Sequence, residues 1–240
     1  MVVADTCLVM LQDILDTDIS VADYLSHRYP EELLNKVTDG DLRSALQLIA
    51  GRQYTSLADI NIATRLVEVS REFGSGRAPI RYARHLNIRD FKTENFVIIG
   101  SRRGVPWVQL FEPQLNFSFE EDKAIHRFYF RNKKPKPGEP STYVPTANGG
   151  NVETYADIAL LPNLGNTGSV LILSGITMEA AESAGTGCRE GLLPGTDPDA
   201  RAASRPRALF RNLVENPSCR GSGQKFADCD LSPDSARRDR

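Results

Sequence analysis

The sequence predicts a three-layer α/β domain with a mixed sheet and a helical N-terminal half. Three observations support this class. Apolar side chains recur at helical spacing through much of residues 8–73, and beyond residue 80 they form short runs bounded by turn residues. Two of those runs lead directly into helical segments. Helices followed by strands with strand-to-helix junctions are typical of a sheet covered on both faces.

The composition is that of an ordinary globular protein. The 240 residues are 40% hydrophobic and 25% charged, so the chain can bury a core. The formal net charge of −2 argues against direct nucleic-acid binding. The apolar runs at 96–99 and 170–173 are far too short to span a bilayer, and no secretory leader opens the chain. We therefore expect a cytoplasmic protein with no membrane association.

The N-terminal part predicts one short strand and several helices. The strand ends at Asp5, and an apolar helical stretch follows it; because the strand is so short, we expect the domain to begin upstream. Serine and aspartate side chains suited to capping precede the later helices. The predicted helices span residues 8–15, 21–27 (capped from within residues 18–20), 42–50 (capped by Asp39 or Asp41) and 57–73 (capped by Ser56).

The second part of the chain predicts the sheet. Residues 80–86 are ambiguous between strand and loop, 106–111 predict a short helix with an early proline, and the basic, proline-rich residues 132–140 predict an exposed hairpin loop. Thr177 caps a helix predicted over 178–184. The predicted strands span 95–100, 116–120, 126–131, 155–161 and 169–174.

Residues 186–240 differ from the rest of the chain. They contain no Ile, Tyr or Trp, and they hold three of the four cysteines. One interpretation is a disordered tail. The other is a shifted reading frame beginning near Gly185, because synonymous codons read one base later can encode an apolar helix and a strand–turn–strand pattern. Either interpretation predicts an α/β domain over 1–185, incomplete at both ends, and an irregular tail over 186–240.

The loop formed by Gly100, Ser101, Arg102 and Arg103 is the first candidate ligand site. Ligands of open α/β sheets bind beyond the carboxyl ends of strands, and glycine lets a ligand approach the backbone closely. Arginine forks match phosphate or carboxylate groups, so an anionic small molecule is the expected partner. The alternative is a solvated turn whose arginines face water. We expect the neighbouring Trp107 to anchor the core rather than to stack on a ligand.

Ser174, Gly175 and Thr177 form the second candidate, at the next strand-to-helix junction. Thr177 is also explained as a helix cap without any ligand. Asp5 follows the first strand and is expected at the same sheet edge, where it would orient a ligand hydroxyl or cap the next helix. Asp157 lies inside a strand, and we expect it at a sheet edge or facing solvent.

No sequence pattern indicates catalysis. The GxSxG, GxxxxGK[ST] and GxGxxG motifs are absent, and the histidines and cysteines lack metal-ligand spacing. We predict no metal site, no cofactor and a non-enzymatic ligand-sensing or interaction domain. The alternative is an enzyme acting on a nucleotide or nucleoside-like molecule through Asp5, Glu179 or Glu182. That alternative requires these carboxylates to converge with Ser101 and Thr177 in one pocket.

Four segments together resemble an uncharacterised bacterial α/β domain. They are residues 80–84, residues 95–103 with the following Pro-Trp pair, residues 155–163 and residues 170–175. Members of this family often follow a helix-turn-helix DNA-binding module. The resemblance therefore implies that the chain is part of a bacterial regulator, with a regulatory module upstream and further strands at the C-terminal end. It implies no established activity. Gly104 and Val105 stand where the family carries a polar Ser-Asn pair.

Overall fold

A mixed six-stranded sheet forms the centre of the protein in a computed structural model that describes residues 1–72, 78–148, 151–192 and 207–209. Helices fill most of the N-terminal half, and a three-stranded antiparallel sheet lies beside the main one. The predicted α/β class, with its mixed sheet and helical N-terminal half, is therefore confirmed.

The helices begin where the sequence places capping side chains. Ser20 accepts a hydrogen bond from the Asp23 backbone at 3.1 Å, Asp39 from Leu42 at 2.8 Å and Ser56 from Asp59 at 3.0 Å, so the predicted caps are confirmed. The helices are α1 (Thr6–Leu15), α2 (Val21–Ser26), α3 (Tyr29–Leu34), α4 (Gly40–Ala50), α5 (Leu57–Glu72), α6 (Asp90–Thr93) and α7 (Met178–Leu192).

The main sheet has the strand order β11-β9-β10-β3-β1-β2, in which β2, β1, β3 and β10 are parallel. The strand β9 runs antiparallel to β10, and β11 runs parallel to β9. The strands of the main sheet are β1 (Val2–Val3), β2 (Arg81–Tyr82), β3 (Phe96–Ile99), β9 (Tyr155–Pro162), β10 (Ser169–Gly175) and β11 (Arg207–Leu209).

Two smaller sheets complete the described strands. β4 (Phe117–Asp122), β5 (Arg127–Asn132) and β6 (Thr142–Tyr143) form an antiparallel meander, and β7 (Thr146–Asn148) pairs with β8 (Asn151–Glu153). Residues 133–140 connect β5 to β6 and are mostly exposed. The predicted exposed hairpin loop is therefore confirmed.

Each face of the main sheet carries its own apolar core, which makes three layers. On one face, side chains of α1 and α4 pack with Ile98 and Ile172, together with α6 and a 3₁₀ helix (Pro106–Leu110). Trp107 is buried there and donates a hydrogen bond to the Ala83 carbonyl at 2.9 Å, so its predicted role as a core anchor is confirmed. On the other face, α5 and α7 pack against Leu173.

Most differences between the observed and the predicted secondary structure are short helices and strands. The ambiguous residues 80–86 become the strand β2 and a 3₁₀ turn (Ala83–His85), and the helices α3 and α6 were not expected. Both helices span six residues or fewer, which is too short to display a helical repeat. Residues 106–110 form a 3₁₀ helix with Pro106 in its first turn, so the expected short helix with an early proline is confirmed.

The C-terminal region is described only in part. The helix α7 continues to Leu192, past the predicted end at residue 184, and β11 pairs with β9 at the edge of the main sheet. The expected irregular tail and the shifted reading frame otherwise concern residues outside the described part of the chain.

Candidate functional site

The two glycine-bearing junctions meet at the same edge of the main sheet, as the sequence predicts. β3 and β10 are parallel, with Ile99 paired to Leu173, so Gly100 and Gly175 leave the sheet side by side. The backbone N–H of Gly100 donates to the Leu173 carbonyl at 2.8 Å. β1 ends at this edge as well, because Val3 pairs with Ile99.

Close packing between elements explains both glycines. Gly100 has a φ of +127°, and a β-carbon there would lie 3.1 Å from the Ala4 Cβ. A β-carbon on Gly175 would collide with the backbone nitrogen of Ala181 in α7. The absent side chains therefore let neighbouring chain segments approach the sheet edge.

The arginines of the loop are engaged with acidic side chains of the same chain. Arg102 lies 3.3 Å from Glu112, and Arg103 lies 2.6 Å from Asp13. The guanidinium of Arg103 also stacks over the Phe128 ring at 4.7 Å. A solvated turn with both arginines facing water is therefore wrong for Arg103, whose side chain is only 11% exposed. An anion that binds either guanidinium would compete with the carboxylate already paired to it.

Ser101 and Thr177 have local structural roles. The Ser101 carbonyl accepts hydrogen bonds from the backbone N–H groups of Gly104 at 3.1 Å and Val105 at 2.8 Å, which closes the loop. The Thr177 hydroxyl accepts from the Ala180 backbone at 3.3 Å. The cap that the sequence predicts for α7 is confirmed.

Asp5 is a fully buried carboxylate at this edge, and donors surround it. It accepts from the Leu8 backbone at 3.0 Å, from the Arg84 guanidinium at 2.8 and 3.0 Å, and from the hydroxyls of Tyr82 at 2.5 Å and Tyr24 at 3.3 Å. Its predicted role as the cap of α1 is confirmed. Burial, followed by the hydrogen bond to Asp5, raises the pKa of Tyr82, so this hydroxyl stays protonated and donates.

Asp157 lies at the carboxyl edge of the sheet, one of the two positions expected for it, but it does not face solvent. It is 2% exposed, and its strand β9 lies inside the sheet between β10 and β11. In the antiparallel register Asp157 pairs with Ser174, which is 5% exposed. The Asp157 Oδ1 and the Ser174 Oγ are both buried, and neither has a hydrogen-bond partner in the described part of the chain.

A small pocket contains both of these polar residues. The space open to the centre of a water-sized group is about 10 Å³, close to the minimum that holds one water molecule. The main sheet, the 3₁₀ helix after the arginine loop and the β4–β5 hairpin all contribute to its wall. The lining residues share an apolar or aromatic character apart from four polar ones: they are Val108, Leu115, Phe117, Phe119, Phe130 and Ile172, with Arg102, Glu112, Asp157 and Ser174.

The electrostatics of the pocket are unusual because Asp157 lacks a compensating charge. Desolvation raises its pKa to about 8, since burial disfavours the ionised form. The other two ionisable groups among the described lining residues, Arg102 and Glu112, pair with each other. The free oxygen of Asp157 can therefore accept a hydrogen bond, and a positively charged group beside it would stabilise the ionised carboxylate.

The alternation of apolar residues along β9 was a sequence signal that Asp157 is buried. Asp157 shares its face of the strand with Ala159 and Leu161, which are both buried. This places Asp157 on an inner face if that face is covered. The sequence could not supply the covering hairpin or the register that sets Ser174 opposite.

The carboxylates needed by the enzymatic alternative do not converge. Asp5 lies beside α1, which packs on one face of the sheet, whereas Glu179 and Glu182 lie on α7, which packs on the other. Glu182 accepts a hydrogen bond from Asn61 of α5 at 3.0 Å. The one pocket that this alternative requires is therefore not formed by these residues.

Fold and site together define a three-layer α/β domain with a small, partly apolar pocket at the carboxyl edge of its sheet. No family model matches the chain, and no curated protein or solved structure matches it either. The resemblance to a bacterial regulator domain stays a prediction. Within the described ranges no helix has the length and apolarity to cross a membrane, and no cluster of His, Cys, Asp or Glu could hold a metal ion.

Proposed function

We propose that this protein is a non-enzymatic ligand-sensing domain of a bacterial regulator, and that it binds a small molecule at the carboxyl edge of the main sheet. The observation that carries the proposal is the pair formed by Asp157 and Ser174. Both side chains are buried in one pocket, and each has a polar atom without a partner in the described residues.

Buried polar atoms without hydrogen-bond partners destabilise the folded protein. A buried polar group without a hydrogen bond costs about 1–3 kcal/mol, and most buried polar groups in folded proteins are paired. Two unpaired atoms that line the same opening are explained together if a bound group supplies the missing hydrogen bonds.

The composition of the pocket wall suggests how binding would be sensed. Phe117 and Phe130 come from the β4–β5 hairpin, Ile172 from the main sheet and Val108 from the 3₁₀ helix. A ligand that contacts all three segments favours one arrangement of the hairpin against the sheet. Such differential contact is the physical requirement for a binding event to shift a conformational equilibrium.

The anionic ligand suggested by the sequence remains a second form of this proposal. Arg102 lines the pocket, and its guanidinium would become available to a phosphate or carboxylate if Glu112 moved away. Binding would then exchange one ion pair for another, which limits the net gain in affinity.

Thermal denaturation in the presence of a ligand panel tests the proposal. The panel contains nucleotides, sugar phosphates, neutral polyols, carboxylic acids and amines. A ligand present at a hundredfold excess over its Kd should stabilise the folded protein by about 2.7 kcal/mol. Ser174→Leu fills the pocket, so it should abolish the increase in Tm, whereas Ser183→Ala on α7 should retain it.

Two results would contradict the proposal. One is a panel in which no compound raises the Tm of the folded wild-type protein. The other is a stabilising compound whose effect is equal in the Ser174→Leu variant and in the wild type, because that compound would bind elsewhere.

A further inference from the structure

We propose that the pocket receives the primary ammonium group of a small amine, with Asp157 and Ser174 as its acceptors and the hairpin phenylalanines beside its apolar body. This inference rests on the proposed function and names the ligand class for the same pocket. Three independent properties of the pocket support it: its charge, its size and its aromatic wall.

The charge of the pocket favours a cation. Among the described lining residues, Arg102 and Glu112 lie 3.3 Å apart and balance each other. Asp157 is the remaining ionisable group of the lining, and its Oδ1 has no donor within the described chain. An ammonium group would supply the missing donors, and its positive charge would favour the ionised form of Asp157. Charge-assisted hydrogen bonds of this kind are roughly twice as strong as neutral ones.

The size of the pocket excludes larger polar groups. Its inner space, about 10 Å³ for the centre of a water-sized group, admits one group of that size. A terminal –NH₃⁺ has a single heavy atom and three donors, so it matches this space. A phosphate, a carboxylate or a guanidinium has at least three heavy atoms, so it does not fit without rearrangement.

The aromatic wall suits the rest of an amine ligand. Phe117 and Phe130 are buried, Phe119 is half-buried, and all three line the pocket. Aromatic faces attract cations by about 0.5–2 kcal/mol. The half-buried Phe119 offers apolar contact to the carbon skeleton that follows the ammonium group. A hydroxyl offers a single donor, whereas an ammonium group offers three donors and also stabilises the ionised form of Asp157.

Three compounds of the same shape test the inference: benzylamine, benzyl alcohol and benzoate. Binding is measured by NMR titration of the full chain at neutral pH, with each compound at millimolar concentration. Benzylamine should perturb the amide signals of β9, β10 and the β4–β5 hairpin, and the other two compounds should not.

Two variants assign the effect to the proposed acceptors. Asp157→Asn keeps the shape of the pocket and removes the charge, so it should weaken benzylamine binding at least about tenfold, the equivalent of one charge-assisted hydrogen bond. Ser174→Ala should weaken it less, because it removes a neutral acceptor. Asp41→Asn, a change on the exposed first turn of α4, should leave binding unchanged.

Failure of the inference is distinguishable from failure of the proposed function. Equal binding of benzyl alcohol or benzoate, or undiminished benzylamine binding by Asp157→Asn, would overturn the amine assignment and leave a ligand-sensing pocket intact. If none of the three compounds binds and no member of the wider panel stabilises the protein, both ideas fail. A crystal structure that shows only a water molecule bridging Asp157 and Ser174 in saturating benzylamine would also overturn the inference.

Discussion

Asp5 and Asp157 are both buried aspartates at the carboxyl edge of the same sheet, yet their surroundings are opposite. Asp5 receives hydrogen bonds from a guanidinium, two tyrosine hydroxyls and a helix N-terminus. Asp157 has an oxygen without a partner in the described residues and a pKa raised to about 8 by burial. The comparison teaches that burial alone does not identify a site. Asp157 differs from Asp5 in having an unmet hydrogen-bonding capacity and in lining a pocket together with Ser174.

The largest change in the free energy of unfolding is expected when Asp5, whose carboxylate is fully hydrogen-bonded, is replaced. Asp5→Leu removes the only buried carboxylate partner of the Arg84 guanidinium, which is partly buried and keeps just its hydrogen bond to the Ala50 carbonyl among the described residues; this should lower the free energy of unfolding by about 3 kcal/mol. Chemical denaturation measures this change. Asp18→Asn breaks the exposed pair with Lys123 and, as the control, should cost less than about 1 kcal/mol. Equal losses in both variants would contradict an anchoring role for Asp5.

Replacing Asp157 is expected to change the free energy of unfolding by a smaller amount and to increase it. Its folded pKa of about 8 exceeds the ordinary value of 3.8, so the folded state holds the proton more tightly than the unfolded state. The stability from this group is fully present below about pH 4 and is lost as the pH rises toward 8. The other charged groups facing the pocket, Arg102 and Glu112, pair with each other.

Asp157→Asn should therefore remove this pH dependence. At pH 9 the variant should be more stable than the wild type by at least about 1–3 kcal/mol, because it avoids a buried, unpaired charge, and the difference should shrink as the pH falls toward 5. Urea denaturation across this pH range measures it. A wild type and a variant with parallel stability curves would mean that Asp157 finds a compensating partner.

The smallest losses of stability are expected when the loop arginines, Arg102 and Arg103, are replaced. Arg103→Ala removes both the pair with Asp13 and the stacking on Phe128, so it should cost about 1 kcal/mol. Arg102→Ala breaks a more exposed pair and should cost less than that. Thermal unfolding of the two variants measures the order, and a larger loss for Arg102→Ala would contradict it.

The sequence predicted those parts of the fold that depend on local chemistry. Ser20, Asp39 and Ser56 cap helices because each side chain reaches a backbone N–H three residues away, a relation visible in the sequence itself. The strand over 96–99 was visible for the same reason, since continuous apolar runs mark buried parallel strands. The carboxyl-edge location of Gly100 and Gly175 followed from this pattern.

The candidate pocket depended on non-local pairing, and the sequence did not reveal it. Asp157 and Ser174 are 17 positions apart in the chain, and only the register of β9 against β10 places them opposite each other. The partners that engage the loop arginines, Asp13 and Glu112, likewise come from separate elements. Arginine pairs and glycines at a sheet edge suggest an anion site from sequence alone, and tertiary packing decides whether their donors are already occupied.

The reversed direction of β9 determines which elements Asp157 is connected to. In a purely parallel sheet, a residue near the start of a strand lies far from the ligand-binding edge. Because β9 runs against β10, Asp157, the third residue of β9, lies at that edge. The chain that leads into Asp157 comes from the β7–β8 hairpin, and Tyr143 of β6 contacts Tyr155 only two positions before Asp157. Asp157 is thus joined to the β7–β8 hairpin and to the β4–β6 sheet through the first residues of β9.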